Sequence, residues 1–138
     1  MACDNYDSSI SATGDRRRPV VCVVDDDADL LGALRFSLEI DGYAVRAYAT
    51  GEALLAEGER IRGAACLVLD YFLPGMNGAD LLDALRRRRV TSPAILITTH
   101  PGTTLRRRAT SLHARIVEKP LLGENLAHAI CDEITGYA

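Results

Sequence analysis

The sequence predicts an α/β fold in which a doubly wound, five-stranded parallel sheet is covered by helices on both faces. Three observations carry this expectation. The runs V-V-C-V-V at 20–24, C-L-V-L at 66–69 and A-I-L-I at 94–97 are apolar at every position, as strands buried on both faces require. Helical periodicity separates one strand from the next, and the connections are short, so successive parallel strands are joined by right-handed crossovers. With 138 residues, 48% of them hydrophobic, the chain has material for one core and too little for two ordinary domains.

Residues 1–18 lack periodicity and end in three arginines before Pro19, so they are read as a disordered N-terminal tail, with the folded domain spanning 19–138. The first strand, β1, covers 20–24. Asp27 or a neighbouring carboxylate caps α1 over 28–40, where Leu30, Leu31, Leu34 and Leu38 recur at helical spacing before Gly42 ends the run. The weaker alternation of 43–48 suits an edge strand, β2, and Thr50 caps a short α2 that continues through Leu54 and Leu55 to Arg60. Strand β3 covers 66–69 and stops at Asp70. Residues 71–78, Y-F-L-P-G-M-N-G, form a loop by their Pro and Gly content, and 79–89 is an amphipathic α3. Strand β4 covers 94–97, Pro101-Gly102 interrupts the chain, a short α4 covers 103–112, β5 covers 114–117, and α5 covers 123–134.

Charged residues make up 25% of the chain and the net charge is −3, so no strong overall field draws it to nucleic acid or to an anionic membrane. The arginine runs at 16–18, 86–89 and 106–108 do not change this. Consecutive helical residues point in different directions, and Arg86 to Arg89 sit at the carboxyl end of α3, where cations suit the helix dipole. The four cysteines have no metal-ligand or C-x-x-C spacing, and two lie in apolar runs, which suits a reducing compartment. No signal peptide and no long apolar span is visible. The sequence therefore predicts a cytoplasmic chain with no membrane and no nucleic-acid partner.

In a doubly wound sheet the functional crevice lies beyond the carboxyl ends of the strands. Four strands end in polar chemistry: β1 in Asp25, Asp26 and Asp27, β3 in Asp70, β4 in Thr98 and Thr99, and β5 in Glu118 and Lys119. Carboxylates brought this close repel one another and lose their charge unless a cation lies among them. Oxygen donors without His or Cys favour Mg²⁺. Capping of α1 accounts for one of these acids but not for the set. The chain also contains fifteen arginines and one lysine, and Lys119 stands at a strand end before a proline. A compact ammonium reaches a carboxylate or phosphoryl oxygen in a narrow pocket where a guanidinium fork fits poorly.

The motifs V-V-D-D-D, L-V-L-D-Y-F-L-P-G-M-N-G, I-L-I-T and E-K-P, taken in order, resemble the response-regulator receiver domain of two-component signalling, over about residues 19–136. Asp26 and Asp70 are 44 residues apart, Asp70 and Thr98 are 28 apart, and Thr98 and Lys119 are 21 apart, which fits that family within an indel or so. The resemblance implies a flavodoxin-like strand order 2-1-3-4-5. It implies that Asp70 is the phosphoacceptor, that Asp26, Asp70 and the Phe72 backbone carbonyl ligate Mg²⁺, and that Asp25 acts through a bound water. It also implies that Thr98 and Lys119 hold phosphoryl oxygens, with a cis bond from Lys119 to Pro120. Its implied partners are a histidine kinase or phosphotransfer protein as donor and a downstream protein target. Such a chain catalyses its own phosphorylation and dephosphorylation and turns over no separate substrate.

Three features depart from the family pattern. Ile116 stands where an aromatic residue is usual, Thr99 where Ala or Gly is usual, and the segment from His100 to Ala114 implies an atypical, shortened α4. The leading reading is a stand-alone receiver acting as a phosphorylation switch; these departures motivate a second, a receiver-like binding module with phosphorylation-independent output. A third, an aspartate-nucleophile phosphatase, follows from the D-x-D at Asp25 and Asp27, but Asp29 stands where such enzymes place Thr or Val, and a substrate cap needs more chain.

Overall fold

The runs that are apolar throughout become the inner strands. A computed structural model describes residues 18–121 and 125–136, with β1 (Val20–Val24), β3 (Cys66–Asp70) and β4 (Ala94–Thr98) lying between β2 (Ala44–Tyr48) and β5 (Ala114–Glu118). All neighbours pair in parallel, in the order β2-β1-β3-β4-β5. The expected tail falls, apart from Arg18, outside the described residues, as does the expected start of the last helix at 123.

Strand alternation divides the apolar side chains between two layers. Val21, Val23, Cys66, Val68, Ile95 and Ile97 pack under α1 (Ala28–Ile40) and α5 (Asn125–Thr135). Cys22, Val24, Leu67, Leu69, Ala94 and Leu96 pack under α2 (Gly51–Leu55), α3 (Gly78–Arg87) and α4 (Thr103–Ser111). Burial pushes the Cys22 thiol up to about 11 and the Cys66 thiol up to about 12, so both remain protonated, inert hydrophobes at neutral pH.

Helix starts follow the capping residues. Asp27 Oδ1 accepts from Asp29 N at 3.1 Å and Leu30 N at 3.2 Å, Thr50 Oγ1 from Ala53 N at 3.0 Å, and Asn77 Oδ1 from Asp80 N at 2.8 Å. Helix ends differ more from expectation. Gly58, at φ 62, breaks the second helix after Leu55, and a 3₁₀ turn over Gly58–Ile61 replaces its predicted last turn. Helix α3 closes at Arg87 instead of 89, because Arg89 turns left-handed at φ 66. With nine residues, α4 is shorter than α1, α3 and α5, and it follows Gly102 without a side-chain cap.

The arginine run at the end of α3 does more than meet the helix dipole. Arg86 is partly buried and donates to Val90 O at 2.9 Å, Ser92 O at 2.8 Å, Leu112 O at 2.9 Å and His113 O at 3.4 Å. It thereby gathers carbonyls from the connections that follow α3 and α4 at once. Burial lowers its pKa, and the carbonyl dipoles offset the cost of its charge. Arg108 joins the same helices from α4, with Nη2 2.8 Å from Asp80 Oδ1 and 3.9 Å from Asp83 Oδ2. Among the described residues no helix is long and apolar enough to cross a membrane.

Arg86→Met keeps the aliphatic stem and removes every donor. It should lower the unfolding free energy by about 2–4 kcal/mol, read as a lower urea midpoint at unchanged slope. A loss of less than about 1 kcal/mol would mean that water replaces the guanidinium at little cost.

Candidate functional site

Alternation also decides which side chains meet at the carboxyl edge. Asp25 continues the row of Val21 and Val23, Asp70 that of Cys66 and Val68, and Lys119 that of Val117, all toward the layer of α1 and α5. Thr98 continues the row of Ala94 and Leu96 toward the opposite layer. Backbone pairing holds these positions in register. Asp25 N donates to Tyr48 O at 3.1 Å, Tyr71 N to Ile97 O at 2.8 Å, and Lys119 N to Thr98 O at 2.8 Å. The Lys119–Pro120 bond is cis, as expected.

Asp25, Asp26 and Asp70 each offer a carboxylate oxygen, and these atoms lie within 4.8 Å of one another. Asp25 and Asp70 are 2% and 3% exposed, whereas Asp26 opens to solvent. Asp25 Oδ1 accepts from Asp27 N at 2.9 Å, but its buried Oδ2 has no hydrogen-bond partner among the described residues. Lys119 Nζ stands 3.3 Å from Asp70 Oδ1, close enough for an ion pair though not aligned as a hydrogen bond. Thr98 is buried at the adjoining strand end.

The cluster is under electrostatic load. Burial, above all, raises the pKa of Asp25, while its bond from Asp27 N and the Lys119 charge act in the opposite sense. Burial likewise raises that of Asp70, followed by the charge of Asp25, with Lys119 again opposing. Repelling carboxylates and an orphaned buried oxygen suit a hard divalent cation bound through oxygen alone.

Asp25, Asp26, Asp70 and Lys119 are thus brought together, with Thr98 on the neighbouring strand. Asp27 is not part of the cluster: it caps α1, which leaves the D-x-D reading without its second acid. Phe72 is 64% exposed, its ring edge-on to Tyr71 with centroids 4.9 Å apart. Thr99, His100 and Glu118 are exposed, and Ile116 is half-buried against the layer of α2, α3 and α4.

In sequence Gly78 is one of the Pro and Gly residues that mark the 71–78 loop, and its constraint in the fold is tighter. A Cβ there would lie 2.5 Å from the Asp70 carbonyl oxygen and 3.1 Å from Tyr71 Cα. The first turn of α3 therefore presses directly on the backbone that carries Asp70, and Gly78 N donates to Tyr71 O at 2.8 Å. Gly75 is constrained differently, by its left-handed backbone at φ 85, since the nearest atom to a Cβ there, Glu52 Oε2 at 2.9 Å, is the movable end of an exposed side chain. Gly at the end of the loop was the available signal; closeness to Asp70 was not readable from it.

The model of the response regulator receiver domain family matches residues 21–131. The chain is similar to the C4-dicarboxylate transport transcriptional regulatory protein DctR of Rhodobacter capsulatus, at 38% identity over 120 residues, covering 85% of this chain and 60% of that protein. It is also similar to the transcriptional regulatory protein FixJ of Rhizobium meliloti, at 32% identity over 111 residues, covering 80% of this chain and 54% of that one. The chain thus spans 54–60% of the length of these curated relatives. Among solved structures, a CheY-like receiver domain protein from Methanospirillum hungatei superposes with TM-score 0.78 at 24% identity, covering 87% of this chain and 96% of that one. The Vibrio cholerae chemotaxis protein CheY4 gives TM-score 0.77 at 23% identity, covering 84% and 98%. These two likenesses show the fold.

The raised carboxyls set the sign of the pH dependence. A carboxyl whose folded pKa lies above its unfolded value keeps its proton longer in the folded state, so its contribution to stability falls as pH rises from about 4 through the folded value. Asp25→Asn removes that charge and supplies an amide donor beside Asp70. In buffer free of divalent cations the variant should be more stable than the parent near neutral pH, by about 1–3 kcal/mol, with the gain shrinking toward pH 4. Urea unfolding at the two pH values decides it, and an equal gain at both would refute the charge origin.

Proposed function

The chain belongs to the response-regulator receiver family, and on that premise we propose that it is a phosphorylation switch in which Asp70 accepts a phosphoryl group from a histidine kinase or phosphotransfer protein. The observation that carries the proposal is the meeting of Asp25, Asp26 and Asp70 within 4.8 Å, with Lys119 Nζ 3.3 Å from Asp70. In this reading Asp25, Asp26, Asp70 and the Phe72 carbonyl hold Mg²⁺. Bound there, the cation neutralises the acidic cluster and supplies a positive field to phosphoryl oxygens.

The chain's own residues perform the remaining work. Asp70 attacks the phosphorus of a phosphoimidazole; the new O–P bond forms an acyl phosphate as the P–N bond breaks and its electrons return to the donor's ring. Lys119 moves from the carboxylate to an equatorial phosphoryl oxygen, and Thr98 donates its hydroxyl to another. Burial of Asp70 excludes competing water from the nucleophile, and the strand ladder fixes its direction of attack. The product adds about −1.5 to −2 charge to an already acidic site. We infer that this charge is read out by a downstream protein target in the cytoplasm. The chain acts on its own aspartate and does not turn over a separate substrate.

Contact through protein surfaces, and not through nucleic acid, is part of this reading, and it is supported by those arginines that are engaged within the chain. Arg86 is engaged by carbonyls, Arg87 pairs with Asp83 at 3.2 Å, and Arg108 with Asp80. A second reading, phosphorylation-independent output, is favoured by Ile116, which is half-buried where the family usually places an aromatic residue.

Incubation with acetyl phosphate and Mg²⁺ should add one phosphoryl mass to the chain, and chelation of the cation should abolish the gain. Asp70→Asn should show none, and Lys119→Met should slow uptake about 10²-fold. Unaltered uptake by Asp70→Asn would refute the assignment. Modification of Asp70 with no change in the affinity of a captured target would favour the second reading.

A further inference from the structure

Helix α1 carries an apolar feature that the phosphorylation site does not use. Of its thirteen residues only Leu38 is fully buried, with Leu31 and Leu34 half-buried beside it against the sheet. On a surface helix the opposite face should be polar. Here it holds Phe36 and Ile40, each 68% exposed, and the exposed Gly32 and Ala33 one turn before them. Nothing lies within 4 Å of a Cβ placed on Gly32, so a shallow notch adjoins two projecting apolar side chains. The spacing of 32/33, 36 and 40 sets them in one stripe along the helix.

We propose that this stripe is a self-association surface whose occupant is α1 of a second copy, laid antiparallel. A two-fold interface brings one patch against itself, so the patch must be self-complementary. With the axis beside Phe36, the two phenyl rings meet at the centre, and Ile40 of each copy rests on Gly32 and Ala33 of the other. Bulk then meets notch at both ends.

Charge selects the same orientation. Arg35 and Glu39 flank the stripe on one side, exposed and 3.4 Å apart. An antiparallel two-fold lays this flank along the same flank of the second copy, so each arginine gains a second glutamate. A parallel two-fold would instead lay the Arg35–Glu39 flank of each copy along the opposite flank of the other, where it gains no opposite charge, and would set Asp29, which stands at the amino end of the stripe, on Asp29. The antiparallel pairing leaves the carboxylate clusters at opposite ends of the paired helices, and it rests on α1 alone, independently of the phosphorylation reading.

Sedimentation equilibrium of the full chain over a concentration series tests the proposal. A reversible monomer–dimer equilibrium is expected, and Phe36→Asp should weaken it roughly a hundredfold or more, with the circular dichroism spectrum and thermal midpoint showing that the variant is folded. Arg35→Glu and Glu39→Arg should each weaken it about two- to fivefold, and the double exchange should recover the loss. A chain that is monomeric at every soluble concentration overturns the proposal, as does a dimer indifferent to Phe36→Asp. Failure of the double exchange to recover the loss overturns the antiparallel arrangement. A monomer in which Phe36→Asp slows phosphoryl uptake from a donor protein would assign the stripe to a partner's helix.

Discussion

The structure is organised around carboxylates that are held together although they repel. Asp25 and Asp70 leave adjacent inner strands at neighbouring register positions, since Val24 pairs with Leu69 and each acid is the next residue. Both are buried, and Lys119, the single lysine of the chain, is the ammonium placed against them. Folding does not gain from this arrangement, because desolvating like charges is unfavourable. Its stability comes from elsewhere: every residue of β3 and β4 is buried, and the layers on both sides are closed with Leu, Ile and Val. The rigidity of those strands keeps the acids from separating, and a site loaded in this way is where a cation or a charge-neutralising reaction has most effect.

Most of this architecture was legible because it depends on local patterns. A strand buried on both faces is apolar along its length, and β1, β3 as far as Leu69 and β4 as far as Ile97 are so. Once the strands are parallel, their carboxyl ends must share an edge, which assembles Asp25, Asp26, Asp70 and Lys119 from their positions in the sequence alone. Caps were legible for the same reason, since Asp27 and Thr50 act on residues two or three along.

Features that depend on distant contacts were not legible. The break of the second helix at Gly58 and the left-handed turn at Arg89 are tertiary choices that override helical propensity. The arginine run at 86–89 looks uniform in sequence, yet Arg86 alone turns inward to four carbonyls, one of them on His113 beyond the end of α4. Gly78 reads as a turn residue; its contact with the Asp70 carbonyl appears only when α3 has folded back onto β3. In each case the controlling partner is set by the path of the chain through space.

The attachment of α4 shows how these two kinds of information combine. Its carboxyl end is held by charged hydrogen bonds from Arg86 to Leu112 O and His113 O, and Leu105, Ala109 and Leu112 anchor its inner side. Charge-assisted bonds at partly buried sites are the stronger kind. Its last turn also carries the half-exposed pair of Arg108 and Asp80, which contributes little in water. Its amino end begins at Gly102 with no side-chain cap, four residues beyond Thr98 and separated from the exposed Thr99 and His100 only by Pro101. The helix is therefore fastened asymmetrically, firmly where it is far from the carboxylate cluster and weakly where it adjoins it. Any segment that responds to charge at Asp70 must be drawn from the less stable parts of the fold, and the amino-terminal turn of α4 is the part of this layer that meets both conditions.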